Sequence, residues 1–283
     1  MVIAKAPFNY IGNKYRILGK IKEYFPRNIN TMVDLFCGGC DVTINTRANF
    51  RYANDINFFV IEICREFQSN CIEDILYHID RTINIWGLTK ENQEAYIRFR
   101  DYYNKTKNPL DLYTLICFSF NYQFRFNNSH EYNNPFGRNR SSFNSVIRNN
   151  LIEFKRRIDD VIFSSEDFIN FDYSILIEGD FLYADPPYLI SCGSYNDGKR
   201  GFRGWTQRDD YILFGILREL SERGVLFALS NVLEHKGMRN ELLADWISSN
   251  SYFIHDIDFN YDNCNYHSRN RQNKTREVLI TNY

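Results

Sequence analysis

The 283-residue chain is 44% hydrophobic and 24% charged, with a formal net charge of −1; this is a soluble globular composition, long enough for one domain with a sizeable insertion or for two domains. Disordered and collagen-like classes are excluded, the apolar runs are far too short to cross a bilayer, and Met1 to Pro7 lacks the apolar stretch of a secretory leader, so a cytoplasmic protein is expected. Seven cysteines without repeated spacing, Cys37 and Cys40 being the only C-x-x-C, imply reduced thiols, and neither they nor the five histidines show the spacing of a metal site.

Residues 7–14 form a loop permitted positive φ by Gly12-Asn13, and a basic amphipathic helix is predicted over 15–24. A short strand at 32–36 runs into Cys37-Gly38-Gly39-Cys40-Asp41 and a helix-like 42–45. Strand, glycine turn and helix make half of a Rossmann-like unit, whose glycines let a nucleoside cofactor approach the backbone. The next strand, 50–55, ends on Asp55 about twenty residues further on, the spacing of an acid that accepts both ribose hydroxyls, although a helix-capping role before the helix at 58–67 suits the same residue.

From 71 to about 150 the strand-helix alternation lapses. Amphipathic helices are predicted over 72–86, 93–103 and 110–120, followed by a polar, aromatic and basic stretch with a tight loop or hairpin at 133–137. This reads as an inserted subdomain, 71–150, within a catalytic domain of residues 1–70 and 151–283. The net charge conceals an uneven distribution: between residues 121 and 157 seven bases (Arg125, Arg138, Arg140, Arg148, Lys155, Arg156, Arg157) face two acids, and further basic patches lie at 196–208 and 267–276. Together they suit a phosphate track, with interleaved aromatics able to stack on bases, while any one patch alone is ordinarily a solvated face.

The sheet resumes at 161–165, followed by Asp167 and Phe168, and again at 181–184. Asp185-Pro186-Pro187-Tyr188 then leaves the sheet. Two prolines fix φ and donate no N–H, so this segment is a stiff lip of free acceptors at a strand end, where α/β sheets hold ligands. The Asp185 carboxylate and the Pro186 carbonyl can each accept one hydrogen of an exocyclic amine, and the Tyr188 ring offers a face for a base; taken alone, the tetrapeptide is equally a turn. A basic glycine-rich loop at 192–204, a helix at 208–223, a strand at 225–230, a helix at 239–249 and two closing strands at 253–259 and 277–281, joined by a polar loop, complete the chain.

These motifs, in this order, resemble the Dam-type DNA adenine-N6 methyltransferases. Pro7-Phe8-Asn9-Tyr10-Ile11-Gly12-Asn13-Lys14 is similar to the family's N-terminal cofactor motif, Phe36-Cys37-Gly38-Gly39-Cys40 to its F-x-G-x-G turn, Asp55 to its ribose-binding acid, Asp167-Phe168 to its adenine-binding pair, and Asp185 to Tyr188 to its catalytic D-P-P-Y. The resemblance implies a Rossmann-like methyltransferase sheet, mostly parallel with a C-terminal antiparallel hairpin, carrying a mainly helical target-recognition insertion. It implies methyl transfer from S-adenosyl-L-methionine, yielding S-adenosyl-L-homocysteine and needing no metal, to an adenine flipped out of double-stranded DNA. Asp185, Pro186, Pro187 and Tyr188 are the implied catalytic residues. Tyr10, Lys14, Asp34, Phe36, Gly38, Gly39, Asp55, Asp167, Phe168 and Asp185 are implied to hold the cofactor. Asn9, Phe120, Asn121, Gln123, Arg125, Asn127, Pro135 and Arg138 are implied to meet DNA, Arg125 as a guanine reader.

The sequence departs from the family at two positions. Cys40 replaces the second glycine of the turn, so either the turn avoids positive φ there or cofactor affinity suffers. Gln123 replaces the apolar residue that meets a thymine methyl in GATC-specific members, and glutamine prefers an edge such as adenine. A role in restriction-modification beside an endonuclease that forms no stable complex is implied, with an orphan or phage-borne enzyme as the alternative. More distant alternatives are a methyltransferase for an RNA base or a protein glutamine, whose relatives more often carry Asn at the Asp185 position, and a catalytically silent DNA-binding module.

Overall fold

A computed structural model of the chain describes residues 3–190, 204–257 and 275–283; the loop expected at 192–204 and the one at 260–276 lie almost wholly outside the described residues. Eight strands, β1 (Thr31–Asp34), β2 (Phe50–Asn54), β3 (Val161–Ser164), β4 (Phe181–Ala184), β5 (Leu226–His235), β6 (Met238–Arg239), β7 (Phe253–Asp256) and β8 (Thr275–Thr281), form one sheet. Its order is β3-β2-β1-β4-β5-β8-β7, with β6 paired to β5 off this path. Pairs from β3 through β5 are parallel, whereas β8 runs antiparallel to β5 and β7. The mostly parallel, Rossmann-like sheet with a C-terminal antiparallel hairpin read from the sequence is the one observed.

Every residue of β1 and β4 is buried, because both sheet faces are covered, and such strands read as unbroken apolar runs. Alternation with period two divides their side chains between two cores. Val33, Leu35, Leu182 and Ala184 pack with Leu213, Phe214 and Leu217 of the helix Gln207–Glu222 on one face. Met32, Phe181 and Tyr183 pack with Leu279 and with Ile17, Leu18 and Ile21 on the other.

A third core joins five helices, α2 (Phe58–Ser69), α3 (Ile72–Trp86), α4 (Gln93–Thr106), α5 (Pro109–Phe118) and α6 (Ser145–Ile158). Phe8, Phe67, Tyr113 and Phe154 meet at its centre, Phe8 lying edge-on to both Tyr113 and Phe154. The buried side chains of 71–150 therefore share one apolar cluster with α2 and the N-terminal segment.

Helix limits differ from the sequence reading in two places. Only Leu18–Ile21 of the expected 15–24 helix is α-helical, followed by a 3₁₀ turn at Lys22–Tyr24. Lys14 is drawn into a buried ion pair and the chain turns tightly there, Ile17 N–H donating to the Lys14 carbonyl; Pro26 then holds Phe25 extended. Conversely, α6 begins inside the stretch read as irregular and runs across residue 150. Asn144 caps it, accepting from the Ile147 N–H at 3.0 Å, and Leu151, Phe154 and Ile158 form its buried stripe.

Candidate active site

The parallel register places the carboxyl ends of β1, β2, β3 and β4 side by side, Asp34 opposite Tyr183 and Asn54 opposite Ser164. All the chemistry-bearing strand ends therefore open on one edge of the sheet. The glycine turn leaves β1 there, its Cys37 N–H bonded to the Asn54 carbonyl at 2.8 Å. Gly38 has φ +48°, and a Cβ on it would lie 2.8 Å from Cδ1 of Tyr10; a Cβ on Gly39 would lie 3.2 Å from the Tyr10 Cβ. The two glycines are thus the floor on which Tyr10 rests. Cys40 takes φ +66°, so the turn keeps the left-handed conformation without a glycine. Its thiol is buried and reaches the Gly38 carbonyl at 3.8 Å, and all the cysteines among the described residues are free.

Asp55 fastens this turn to β2, accepting from the Gly38 N–H and the Asn57 N–H, each at 2.8 Å. Burial pushes its carboxyl up to about 6, against the pull of those two amides. Asp34 is more deeply buried: its Oδ2 takes the Thr43 hydroxyl at 2.6 Å and the Thr43 N–H, while Oδ1 has no partner. Burial holds it well above the ordinary carboxylate range. Phe168 is buried between Phe36, 5.6 Å away, and Trp205, 5.1 Å away between ring centroids, whereas Asp167 caps its own turn at the Ile169 N–H. Trp205, whose indole donates to Asp210 at 2.7 Å, was not singled out in the sequence; a lone tryptophan closing a basic glycine-rich loop was its only signal.

At the mouth of β4, Asp185 Oδ1 accepts from Lys14 Nζ at 2.9 Å and from the Tyr188 hydroxyl at 2.8 Å. Lys14 also lies 3.5 Å from Glu277 Oε1 and stands over the Tyr188 ring, 4.8 Å from its centroid; the Tyr188 hydroxyl reaches the same Glu277 oxygen at 3.2 Å. Burial pushes the Asp185 carboxyl above its ordinary range and Lys14 offsets part of that rise. For Lys14 the balance is reversed: burial opposes its charge, but Asp185 and Glu277 outweigh it and raise its pKa. Among the described residues, no hydrogen bond reaches Asp185 Oδ2 or the Pro186 carbonyl. The lip therefore presents two unengaged acceptors, one anionic and one neutral, and prolines at 186 and 187 remove the nearby donors that would fill them. Glu277 was missed in the sequence, where an acid directly before the apolar run Val278-Leu279-Ile280 was the signal.

The N-terminal segment links this edge to residues 119–136. Tyr10 packs on Phe124 at 5.6 Å between centroids, and Asn9 Nδ2 donates to the Asn121 carbonyl at 2.7 Å. Residues 119–126 and 132–136 lie antiparallel through bridges Ser119 to Phe136 and Phe126 to Tyr132, clamped by buried Asn134, which donates to the Ser119 hydroxyl and to the Phe120 and Gln123 carbonyls. Asn121 and Tyr122 both take positive φ, +54° and +56°, a strained pair for residues with side chains. It leaves Phe120 exposed with Arg140 over its ring. The Gln123 side chain makes no hydrogen bond among the described residues, and Arg125 Nε is buried without a partner. Pro135 is exposed and its carbonyl takes the Phe120 N–H. Asn127 instead closes its own loop on Ser129 and Glu131, and Arg138 is held by Gln93 Oε1 at 2.7 Å.

The model of the D12 class N6 adenine-specific DNA methyltransferase family matches residues 10–263. The chain is 49% identical over 281 residues to the type II methyltransferase M.FokI of Planomicrobium okeanokoites and 48% identical over 281 residues to the modification methylase StsI of Streptococcus sanguinis. Each alignment covers 99% of this chain but 43% of the relative, so the chain spans less than half the length of these proteins. Similarity to the DNA adenine methylase of Escherichia coli (strain K12) is 23% identity over 231 residues, 80% of both chains.

Proposed function

The chain belongs to the D12 class N6 adenine-specific DNA methyltransferase family, and from that premise we propose that it methylates the exocyclic amine of an adenine extruded from double-stranded DNA. The observation that carries this reading is the pair of open acceptors, Asp185 Oδ2 and the Pro186 carbonyl, which leave β4 at the same sheet edge where the glycine turn leaves the adjacent parallel strand β1. Each accepts one hydrogen of the amine, which draws the nitrogen lone pair out of conjugation with the purine ring and makes it nucleophilic. Lys14 favours the ionised form of Asp185 against the effect of burial, and the Tyr188 ring provides the face against which the flipped base lies. Pro187 stiffens the lip so that the amine is held in one orientation.

S-adenosyl-L-methionine fits the residues beside the lip: Gly38 and Gly39 let Tyr10 pack directly on the turn, Asp34 holds a buried oxygen without a partner, and Phe36, Phe168 and Trp205 make an aromatic cluster at the neighbouring strand ends. When bound, it supplies a sulfonium-activated methyl group. We assign Tyr10, Lys14, Asp34, Phe36, Gly38, Gly39, Asp167 and Phe168 to its binding, with Asp55 using the second lone pairs of its oxygens for the ribose hydroxyls. Because only the carboxylate form of Asp55 accepts both hydroxyls, affinity is lost as pH falls through its pKa of about 6. Titration calorimetry is expected to give a dissociation constant about tenfold weaker at about pH 5 than at neutrality; a constant affinity across that range would remove Asp55 from the ribose.

Residues 71–150, with Asn9, form the target-recognition surface in this reading, supported by the free polar groups of Gln123 and Arg125 beside exposed Phe120. The similarity to a type II methyltransferase and a modification methylase supports a modification role, which we place in the cytoplasm alongside an endonuclease that forms no stable complex. Arg125→Ala is expected to weaken binding to a duplex carrying the methylated motif by about 1–3 kcal/mol while leaving motif-free duplex binding unchanged; equal losses on both would make Arg125 a phosphate contact. The proposal itself is tested by incubating the protein and tritiated S-adenosyl-L-methionine separately with unmethylated duplex DNA, RNA and protein. Label recovered as N6-methyladenine from DNA is the expected result, and label confined to RNA or protein overturns it.

A further inference from the structure

We propose that Glu277 is a positioning residue for methyl transfer: its carboxylate holds the Lys14 ammonium and the Tyr188 hydroxyl so that Asp185 keeps Oδ2 open for the substrate amine. This inference deepens the adenine-methyltransferase reading and rests on it. It begins with strand periodicity. Leu279 shares a core with Phe181, Tyr183, Ile17 and Leu18, so Glu277, two residues before Leu279, and Asp185, two residues after Tyr183, project from the same sheet face. A register shift in β5 between Val232 and Glu234, opposite Glu277 and Arg276, lies at this point of the β5 to β8 ladder, where bulges re-aim side chains. The N-terminal segment crosses the same face and delivers Lys14 between the two acids.

Counting donors then assigns Glu277 its part. An ammonium has three N–H groups, and Lys14, 6% exposed, has three acceptors: Asp185 Oδ1 at 2.9 Å, the Gly12 carbonyl at 3.2 Å and Glu277 Oε1 at 3.5 Å. With Glu277 removed, one buried N–H is left seeking an oxygen, and the unengaged one on the neighbouring acid is Asp185 Oδ2. The Tyr188 hydroxyl, shared between Asp185 and Glu277, likewise loses its Glu277 acceptor. Glu277 thus prevents the enzyme's own donors from occupying the acceptor the substrate needs. Among the described residues, the other titratable groups facing this cluster are Tyr183 and Asp34.

The test compares wild type, Glu277→Gln and Glu277→Asp in single-turnover transfer of tritiated methyl to unmethylated duplex DNA at saturating cofactor. Glu277→Gln keeps an acceptor oxygen but not its charge, so it holds the Lys14 ammonium more weakly and lets it turn toward the anionic Asp185; transfer is expected to slow about tenfold, with cofactor affinity within about twofold. Both limbs of its pH profile should move to lower pH: Asp185, no longer facing a second anion, holds its proton less tightly, and Lys14, with one anionic partner gone, also deprotonates earlier. In the free protein the Lys14 ¹³Cε resonance should titrate at lower pH as well, and Glu277→Asp should restore the limbs toward wild type. Unchanged limbs and an unchanged Lys14 titration overturn the inference, as do equal losses in Gln and Asp variants that track a fall in melting temperature. An inactive wild-type protein would instead remove the methyltransferase reading and this inference with it, whereas an active wild type with an indifferent Gln variant removes the inference alone.

Discussion

Asp185→Ala is expected to reduce methyl transfer about 1,000-fold or more, within the range for removing a group that positions a reacting proton or charge. The substitution deletes the anionic half of the acceptor pair and leaves the Pro186 carbonyl as the amine's single partner, so the lone pair stays conjugated with the ring. Lys14 retains Glu277 and the Gly12 carbonyl, which limits the damage of an otherwise unpaired buried cation. Cofactor binding, measured by calorimetry, should therefore stay within about threefold, the mark of an interaction made mainly in the transition state. Asp185→Asn keeps one acceptor oxygen and should lose less than the alanine variant. Activity within about tenfold of wild type for Asp185→Ala would show that the amine is held elsewhere.

Gly38→Ala should act on the opposite side of the same cleft, weakening cofactor binding about 10- to 100-fold with smaller loss of rate at saturation. A methyl group there meets the Tyr10 ring at 2.8 Å and 3.0 Å, and the residue sits at φ +48°, where a side chain costs about 1–3 kcal/mol. Either Tyr10 gives way or the turn rotates, and each disturbs the floor of the site. Gly215→Ala is the matched control: Gly215 lies within the helix Gln207–Glu222 with nothing within 4 Å of its added Cβ, so it should leave affinity unchanged. A Gly38→Ala protein with wild-type cofactor affinity would mean that the ligand does not use this turn.

The sheet was legible in the sequence because its central strands carry unbroken apolar runs that end on chemistry-bearing residues. Phe181 to Ala184, followed by Asp185-Pro186-Pro187-Tyr188, is the plainest case, and the family resemblance read from those motifs agrees with the family model that matches the chain. Less legible were features set by tertiary partners. α6 carries a sparse apolar stripe among bases and asparagines, and its helical state is fixed by burying Leu151, Phe154 and Ile158 in the core shared with α2, where Phe154 meets Phe67 and Phe8. The expected 15–24 helix is shortened because Lys14 turns inward, a pull exerted by Asp185 and Glu277 that no local pattern contains. Glu277 itself reaches the site only through the antiparallel return of β8 beside β5. Trp205 belongs to the aromatic cluster for the same reason: its partners Phe36 and Phe168 come from two other strand ends.

The central claim is that the lip at 185–188 grips the amino group of an extruded adenine. It is tested most directly by producing the chain in a bacterial host that lacks DNA methylation and mapping modified bases by single-molecule sequencing. The account predicts N6-methyladenine at every copy of one short motif with wild type and at none with Asp185→Ala. Unmodified adenines throughout, or methyl groups found on cytosine instead, would contradict it.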